Sequence, residues 1–174
     1  MTLKAVVIGI GNPFRRDDGI GPEVATQIQG QRLPGVRVVI SDGEPAGLLE
    51  AWEGADLAVV VDAIQRLPAS PGRIHRLTAS QLETGCTAAS SHGLGVPDAV
   101  RLGRALERLP RQMVILAVEG ADTGPGTGLS GAVAAAVPRA AAAVMAELNQ
   151  IKSPDGPGDA PPRRKRQGQH RHGD

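Results

Sequence analysis

The chain has 174 residues, a length that fits one domain with a single hydrophobic core. Apolar residues make up 41% of the sequence and are mainly aliphatic, since Phe14 and Trp52 are the only Phe, Tyr or Trp residues. A nucleic-acid surface that stacks bases on aromatic side chains is therefore not expected. The single cysteine, Cys86, excludes an internal disulfide bond and a thiolate metal cluster.

The basic charge is concentrated near the C-terminus. Residues 1–150 carry 13 Lys and Arg against 15 Asp and Glu, whereas residues 151–174 carry 6 against 3. From residue 153 onward the sequence is rich in Pro, Gly and Arg and lacks apolar side chains that could build a core. We predict a folded domain over 1–152 and a disordered basic tail over 153–174, in which His170 and His172 could bind anions or metal weakly.

The N-terminal residues enter a strand pattern at once, which leaves no room for the cleavage region of a signal peptide. By inspection, no apolar run approaches the length of a membrane span. The sequence therefore predicts a soluble, cytoplasmic protein.

The predicted elements alternate between strands and helices. The β-branched run KAVVIGI (4–10) is typical of a strand that is buried on both faces of a parallel sheet. Further strands are predicted at 36–43, 56–64, 72–79 and 112–120, and helices at 21–31, 45–55, from about residue 97 to 110, and at 128–151. This order predicts the α/β class: a three-layer α/β/α sandwich with a mainly parallel central sheet and the 72–79 strand at an edge.

Glycines cluster directly after the first strand, in GIGNPFRRDDGIG (9–21). Such a turn often binds phosphate. Here Phe14 replaces the third glycine of G-x-G-x-x-G, and Asp17 and Asp18 stand where a pyrophosphate would need hydrogen-bond donors. The glycines are instead predicted to keep the turn tight and to bring an acidic side chain to the rim of the sheet.

Three side chains are predicted to meet at that rim. Asp18 follows the first strand, Asp62 ends the central strand, and His92 lies in the loop before the third helix. Ligands of open α/β sheets bind beyond the carboxyl ends of the strands. Two carboxylates and one imidazole suit a borderline divalent ion such as nickel or zinc, with coordination positions left for water or substrate.

Simpler interpretations exist for these residues. Asp17 or Asp18 could cap the first helix, and His92 could be an ordinary loop histidine. Asp62 is harder to explain in this way, because a carboxylate beside an apolar run needs a partner that offsets its desolvation. His75, inside the strand pattern GRIHRL, is interpreted as structural.

No conventional nucleophile is evident. The segment GLSGA (128–132) lacks the G-x-S-x-G pattern, and nothing orients Cys86 toward His92. The simplest remaining chemistry is a metal-polarised water with one carboxylate as general base.

Taken together, four segments resemble the hydrogenase maturation endopeptidases. They are VVIGIGNPFRRDDGIGPEVA, VVVDAI, SSHGLGVPDAV and GLSGAVAAAVPRA, which occur in this order between about residues 4 and 149. The resemblance implies a phosphorylase/hydrolase-like fold and a protease that removes a C-terminal extension from the large subunit of nickel-iron hydrogenases. The metal-site and catalytic residues of the family would correspond to Asp18, Asp62 and His92, with Asp17 as the alternative to its neighbour.

The resemblance also implies a substrate-binding residue. In the family, the second strand ends in an Asp followed by a Gly-Thr turn near the substrate. Here SDGEPAG (41–47) keeps Asp42 but has Glu44 and Pro45 in place of Gly-Thr.

Nickel is the implied metal, and it would arrive with the substrate, so that the three residues check that the precursor is loaded. Zinc or cadmium could replace it in vitro. The implied partner is the large-subunit precursor of a [NiFe] hydrogenase, cut after a His or Arg that follows its last metal-binding Cys motif. The protein would act as a monomer, without nucleic acid or membrane.

Two other functions remain open at the level of sequence. A nickel-binding chaperone that docks on the precursor without cutting it would use the same three residues. A peptidyl-tRNA hydrolase would share the G-x-G-N-P turn, but that family has a Tyr shortly after the turn, and this chain has none.

Overall fold

The computed structural model describes residues 4–84 and 95–152. The predicted tail, 153–174, lies outside the described residues. In chain order the elements are β1 (Ala5–Ile10), a 3₁₀ segment (Arg16–Gly19), α1 (Ile20–Gly30), β2 (Val36–Ser41), α2 (Pro45–Trp52), β3 (Leu57–Ile64), β4 (Ile74–Thr78), α3 (Ala79–Glu83), α4 (Gly95–Ala105), β5 (Gln112–Glu119) and α5 (Gly131–Lys152).

The strands form one sheet in the order β2-β1-β3-β5-β4. β1, β2, β3 and β5 run parallel, and β4 pairs antiparallel with β5 at the edge. β1 and β3, at the centre, are buried along their whole length, which explains why their sequences are continuous apolar runs rather than alternating ones.

The sheet separates two hydrophobic cores. One face packs against α1 and α5, and the other packs against α2, α3 and α4. Side chains of a strand alternate between the faces, so that in β3 Val59 and Val61 contact the first core while Ala58 and Val60 contact the second. The predicted three-layer α/β/α sandwich with a mainly parallel sheet and an edge strand near 72–79 is thereby confirmed.

Three local features differ from the sequence prediction. Asp17 and Asp18 do not cap α1, because they lie in the preceding 3₁₀ segment. The N-cap residue is Gly19, which has no side chain that could cap the helix. α3 is too short for a periodic pattern to reveal it, although Thr78 and Gln81 form a capping box at its start. α4 begins two residues before the predicted position.

α5 also corrects an expectation. Residues 131–151 are long and apolar enough to cross a membrane by length and composition, contrary to the reading that no run approaches a span. Within α5, however, one side carries the buried residues that pack on the sheet, and the rest of the helix surface is partly or fully exposed. An Ala-rich core helix of a three-layer fold passes the same composition test.

Glycines allow α1 to lie directly on the sheet. A Cβ atom at Gly21, in the first turn of α1, would lie 2.2 Å from the carbonyl oxygen of Ile10 and 2.7 Å from that of Val61. A Cβ at Gly9 would lie 2.3 Å from the carbonyl oxygen of Gly21. These glycines serve close helix–strand packing, as predicted for a tight turn.

This packing predicts the effect of adding one methyl group. Gly21→Ala should lower the free energy of unfolding by about 3 kcal/mol, because the new Cβ meets backbone atoms of two strands that cannot move aside. Gly30→Ala, at the last residue of the same helix, is the matched control: its Cβ would meet nothing within 4 Å, and it should gain roughly 0.5–1 kcal/mol from helix propensity. Urea unfolding of both variants measures the difference, and equal midpoints would contradict the close packing.

Candidate active site

Two of the predicted site residues lie next to a topological switch point of the sheet: Asp18 follows β1, and Asp62 belongs to β3. From β1 the chain passes to β2 on one side and then returns to β3 on the other side of β1. In open α/β sheets, ligands bind beyond the carboxyl ends of the strands at such a point. The 3₁₀ segment after β1 packs against β3, so the turn that carries Asp18 contacts the strand that carries Asp62.

Asp18 is held by the turn that follows β1. The residue is 1% exposed, and its Oδ2 accepts a hydrogen bond from the backbone amide of Asn12 at 2.9 Å. Gly11 adopts a φ of 144°, and a Cβ there would lie 1.8 Å from the backbone oxygen of Asp18. Only glycine allows the turn to fold back this closely, which fixes the Asp18 carboxylate near the end of β1.

Asp62 lies inside β3 and not at its end. β1 pairs with β3 only as far as Val61, whereas β5 continues the pairing to Glu119, and β3 therefore extends two residues beyond Asp62. Asp62 is 2% exposed. The alternation of side chains puts it on the face of Val60, toward the layer of α2, α3 and α4.

His92 and Cys86 lie in segment 85–94, outside the described residues. The helices on either side of that segment, α3 and α4, both pack on the sheet face that Asp62 shares. Within residues 4–84 and 95–152, no group of three or more His, Cys, Asp or Glu side chains could hold a metal ion. Of the three predicted ligands, the structure describes Asp18 and Asp62, and the place of His92 beside them stays a prediction.

Asp17, the alternative to Asp18, is engaged in the structure. It is fully buried, and its two carboxylate oxygens accept hydrogen bonds of 2.6–2.9 Å from the amides of Ala121, Asp122 and Ser130 and from the Ser130 hydroxyl. Burial raises the pKa of Asp17, but the hydrogen bonds from Ser130, Asp122 and Ala121 outweigh it and hold the pKa below its ordinary value. Asp17 therefore ties the turn after β1 to the β5–α5 loop.

Asp42 lies in the turn between β2 and α2, at the carboxyl ends of the parallel strands, as Asp18 does. It is exposed, and its Oδ1 accepts a hydrogen bond from the amide of Glu44 at 3.1 Å, while the Ser41 hydroxyl accepts one from Gly43 at 3.1 Å. These contacts shape the turn locally. A role in substrate binding stays a prediction.

The loops around the site are linked through Thr123 of the β5–α5 loop. Its backbone oxygen accepts a hydrogen bond from Arg15 in the turn after β1, and its hydroxyl accepts one from Gln65 in the β3–β4 loop. Arg16 binds the same loop through the carbonyl oxygen of Pro125 and the carboxylate of Asp122. Hydrogen bonds and an ion pair therefore connect the turn after β1 and the β3–β4 loop to the β5–α5 loop.

Glu119 and His75 form a second polar group that sequence reasoning missed. Glu119 is 2% exposed at the end of β5, and its Oε1 lies 2.6 Å from Nε2 of His75 on β4. The sequence offered a signal for Glu119, since it ends an apolar strand and needs a partner for the same reason as Asp62. Its partner is 44 positions away, and no local pattern connects the two.

The comparisons with known proteins agree with this fold. The sequence profile of the HycI hydrogenase maturation protease family matches residues 16–147. The chain is 26% identical over 151 residues to the hydrogenase 2 maturation protease of Escherichia coli K12, covering 85% of this chain and 92% of that protein. It is 28% identical over 123 residues to the hydrogenase expression/formation protein HupD of Bradyrhizobium diazoefficiens, covering 68% and 64% respectively.

Solved structures are similar over most of the chain. The hydrogenase maturating endopeptidase HybD from E. coli superposes with a TM-score of 0.75 at 22% identity, covering 86% of this chain and 94% of that one. The [NiFe] hydrogenase maturation protease HybD from Thermococcus kodakarensis superposes with a TM-score of 0.71 at 23% identity, covering 83% and 99%. At these identities the likeness establishes the fold.

Proposed function

The chain belongs to the hydrogenase maturation protease family, and we propose that it removes the C-terminal extension from the nickel-loaded large-subunit precursor of a [NiFe] hydrogenase. The protein is therefore a peptidase, and hydrogenase precursors are the kind of partner on which peptidases of this family act. The observation that carries the finer proposal is the pair of buried carboxylates, Asp18 in the 3₁₀ segment that follows β1 and Asp62 in the adjacent strand β3, at the switch point.

Nickel is part of the substrate in this proposal. Asp18 and Asp62 would supply carboxylate oxygens and His92 an imidazole nitrogen, a mixed donor set that suits a borderline divalent ion and would accept zinc or cadmium in vitro. Burial supports this assignment, because carboxylates that have been removed from water gain most from a nearby cation.

The chain's own residues would select and hold the loaded precursor. Asp18, Asp62 and His92 would complete the coordination of the incoming ion, so that only a nickel-loaded precursor binds productively. The bound ion would polarise the peptide carbonyl or the attacking water. Asp62 is fixed by its strand and Asp18 by the Gly11 turn, which keeps both carboxylates in position before the substrate arrives. Asp42, exposed at the same edge, would contact the peptide.

The proposed setting is the cytoplasm, with the protein acting as a monomer. Family membership favours proteolysis over the two alternatives raised by the sequence. A chaperone that never cuts would be an exception among proteins described as maturation proteases, and a peptidyl-tRNA hydrolase would not match this family.

Cleavage of a loaded precursor is the direct test. The full-length protein should release a C-terminal peptide from at least one member of a panel of nickel-loaded [NiFe] hydrogenase large-subunit precursors, as measured by the mass of both products. The same precursors prepared without nickel should stay intact, which tests nickel selection separately from proteolysis. Failure to cut any loaded precursor would contradict the proposed substrate, and equal cutting of nickel-free precursors would contradict the role of nickel.

A further inference from the structure

Glu119 and His75 form a nearly buried polar pair to which the proposed reaction has assigned no task. The Glu119 carboxylate accepts a hydrogen bond from the amide of Ser70 at 2.6 Å through Oε2 and contacts Nε2 of His75 at 2.6 Å through Oε1. The side chains are 3% and 18% exposed respectively. Such a pair is costly to bury and calls for an explanation.

The strand register brings His75 to the face and the rim where Asp62 lies. Ala117 of β5 pairs with Asp62 on one side and with His75 on the other, so the three residues form one row across the sheet. Residues that are paired in this way share a face, and strands are about 4.8 Å apart, which separates the outer two Cα atoms by roughly 10 Å. Within this row, the residue between them is Ala117, which has a short side chain.

The contacts of Glu119 determine which nitrogen of His75 carries the proton. The hydrogen bond from Ser70 holds the pKa of Glu119 below its usual value, with burial opposing this and His75 adding to it. An ionised carboxylate only accepts hydrogen bonds, so Nε2 must donate. The neutral ring then has its lone pair on Nδ1, which receives no hydrogen bond from any of the residues that the structure describes.

A carboxylate-oriented imidazole with a second available nitrogen suits either a metal ligand or a proton carrier. The position of His75 two strands away from Asp62 in this row keeps it apart from the carboxylate that would hold the ion, which favours the second role. Asp18 and Asp62 are poor proton acceptors while they coordinate a cation, since the cation lowers their basicity. We infer that His75 is the proton carrier of the peptidase reaction and that Glu119 is the residue that positions it; this inference rests on the proposed function.

The step balances as ordinary peptide hydrolysis. As the oxygen of water bonds to the carbonyl carbon, Nδ1 of His75 accepts one proton of that water and the ring becomes an imidazolium stabilised by Glu119. As the C–N bond breaks, Nδ1 returns the proton to the leaving amine nitrogen. The products are a carboxylic acid and an amine, and His75 ends in its starting form.

Two variants keep hydrogen-bonding groups at His75 and Glu119 but remove the basic nitrogen or the charge that positions its proton. His75→Gln keeps a donor for Glu119 without a basic nitrogen, and kcat should fall by roughly 100- to 10,000-fold. Glu119→Gln keeps an acceptor for the Ser70 amide but turns its amide group toward Nε2, which moves the ring proton to Nδ1; kcat should fall by roughly 100-fold or more. KM should change less than about threefold in both, because binding of the precursor is not affected.

Arg76→Gln is the matched control on the same strand. Arg76 points to the opposite face, where it pairs with Glu147 of α5, and this variant should keep the wild-type kcat. A His75→Gln or Glu119→Gln enzyme that releases the C-terminal peptide at the wild-type rate would overturn the inference. If the wild-type enzyme cuts no loaded precursor, the failure is that of the proposed function.

The ring proton provides a test that does not depend on activity. Long-range ¹H–¹⁵N correlation spectra of the full-length protein should show His75 with its proton on Nε2 in the wild type and on Nδ1 in Glu119→Gln. A wild-type His75 with its proton on Nδ1 at neutral pH would overturn the inference, even if the variants prove too unstable for kinetics.

Discussion

Asp62→Asn is expected to reduce release of the C-terminal peptide by roughly 1,000-fold, which corresponds to about 4 kcal/mol of lost transition-state stabilisation. The amide has the size of the carboxylate but no negative charge to offer a divalent ion. The fold should tolerate the change, with a Tm shift of no more than about 3 °C, because an amide is less costly to bury than a carboxylate. Single-turnover cleavage of a nickel-loaded precursor measures the rate.

Asp56→Asn is the matched control for this result. Asp56 directly precedes β3, at the opposite end of the strand, and its Oδ2 accepts a hydrogen bond from the Lys4 amide at 3.0 Å. An amide oxygen can accept the same bond, so both activity and Tm should stay at wild-type values. Wild-type cleavage by Asp62→Asn, or an equal loss in Asp56→Asn, would show that the charge at the switch point has no specific role.

Asp17→Asn is expected to lower stability, whereas Asp18→Asn is expected to lower the cleavage activity. Asp17→Asn should lose about 3–4 kcal/mol of stability, a fall in Tm of roughly 6–16 °C, because an amide cannot accept all four hydrogen bonds that the carboxylate receives from the β5–α5 loop. Asp18→Asn keeps an acceptor for Asn12 and should stay near the wild-type Tm while losing cleavage. Thermal unfolding and cleavage assays on both proteins separate the two carboxylates.

Acid should diminish the difference in stability between the wild type and Asp17→Asn. The pKa of Asp17 is lower in the folded than in the unfolded protein, so its stabilisation is complete above the unfolded value and is lost as pH falls through the folded one. The gap in Tm should therefore be widest near neutral pH and narrow below about pH 4. A gap that stays constant into strong acid would mean that the Asp17 charge does not contribute.

The strands were predictable because their signals are local. β1, β3 and β5 are apolar runs whose burial on both faces follows from their central places in the sheet. The other helices were also predicted from local sequence, but α3 was not, because it has only five residues. The fold class was therefore available before any contact was known.

The candidate site residues could be proposed from sequence where a motif carries them. Asp18 and Asp62 occur at the ends of predicted elements, in segments that resemble one family, and the chain does belong to that family. The local pattern predicts a structural role for His75 and did not single out Glu119, and their contact could not be anticipated because the two residues are 44 positions apart. Nothing in GRIHRL or in the end of β5 specifies that pairing.

The order of elements, the family and a short list of polar residues follow from the sequence alone, because periodicity and motif chemistry act between near neighbours. How the neighbouring acids Asp17 and Asp18 differ is visible only in the folded protein: Asp17 accepts hydrogen bonds from a loop more than 100 positions away, and Asp18 accepts one from the nearby amide of Asn12. The folded protein also shows that His75 and Asp62 flank Ala117 on one face. These features depend on contacts between residues that are far apart in the sequence, and only the folding of the chain brings such residues together.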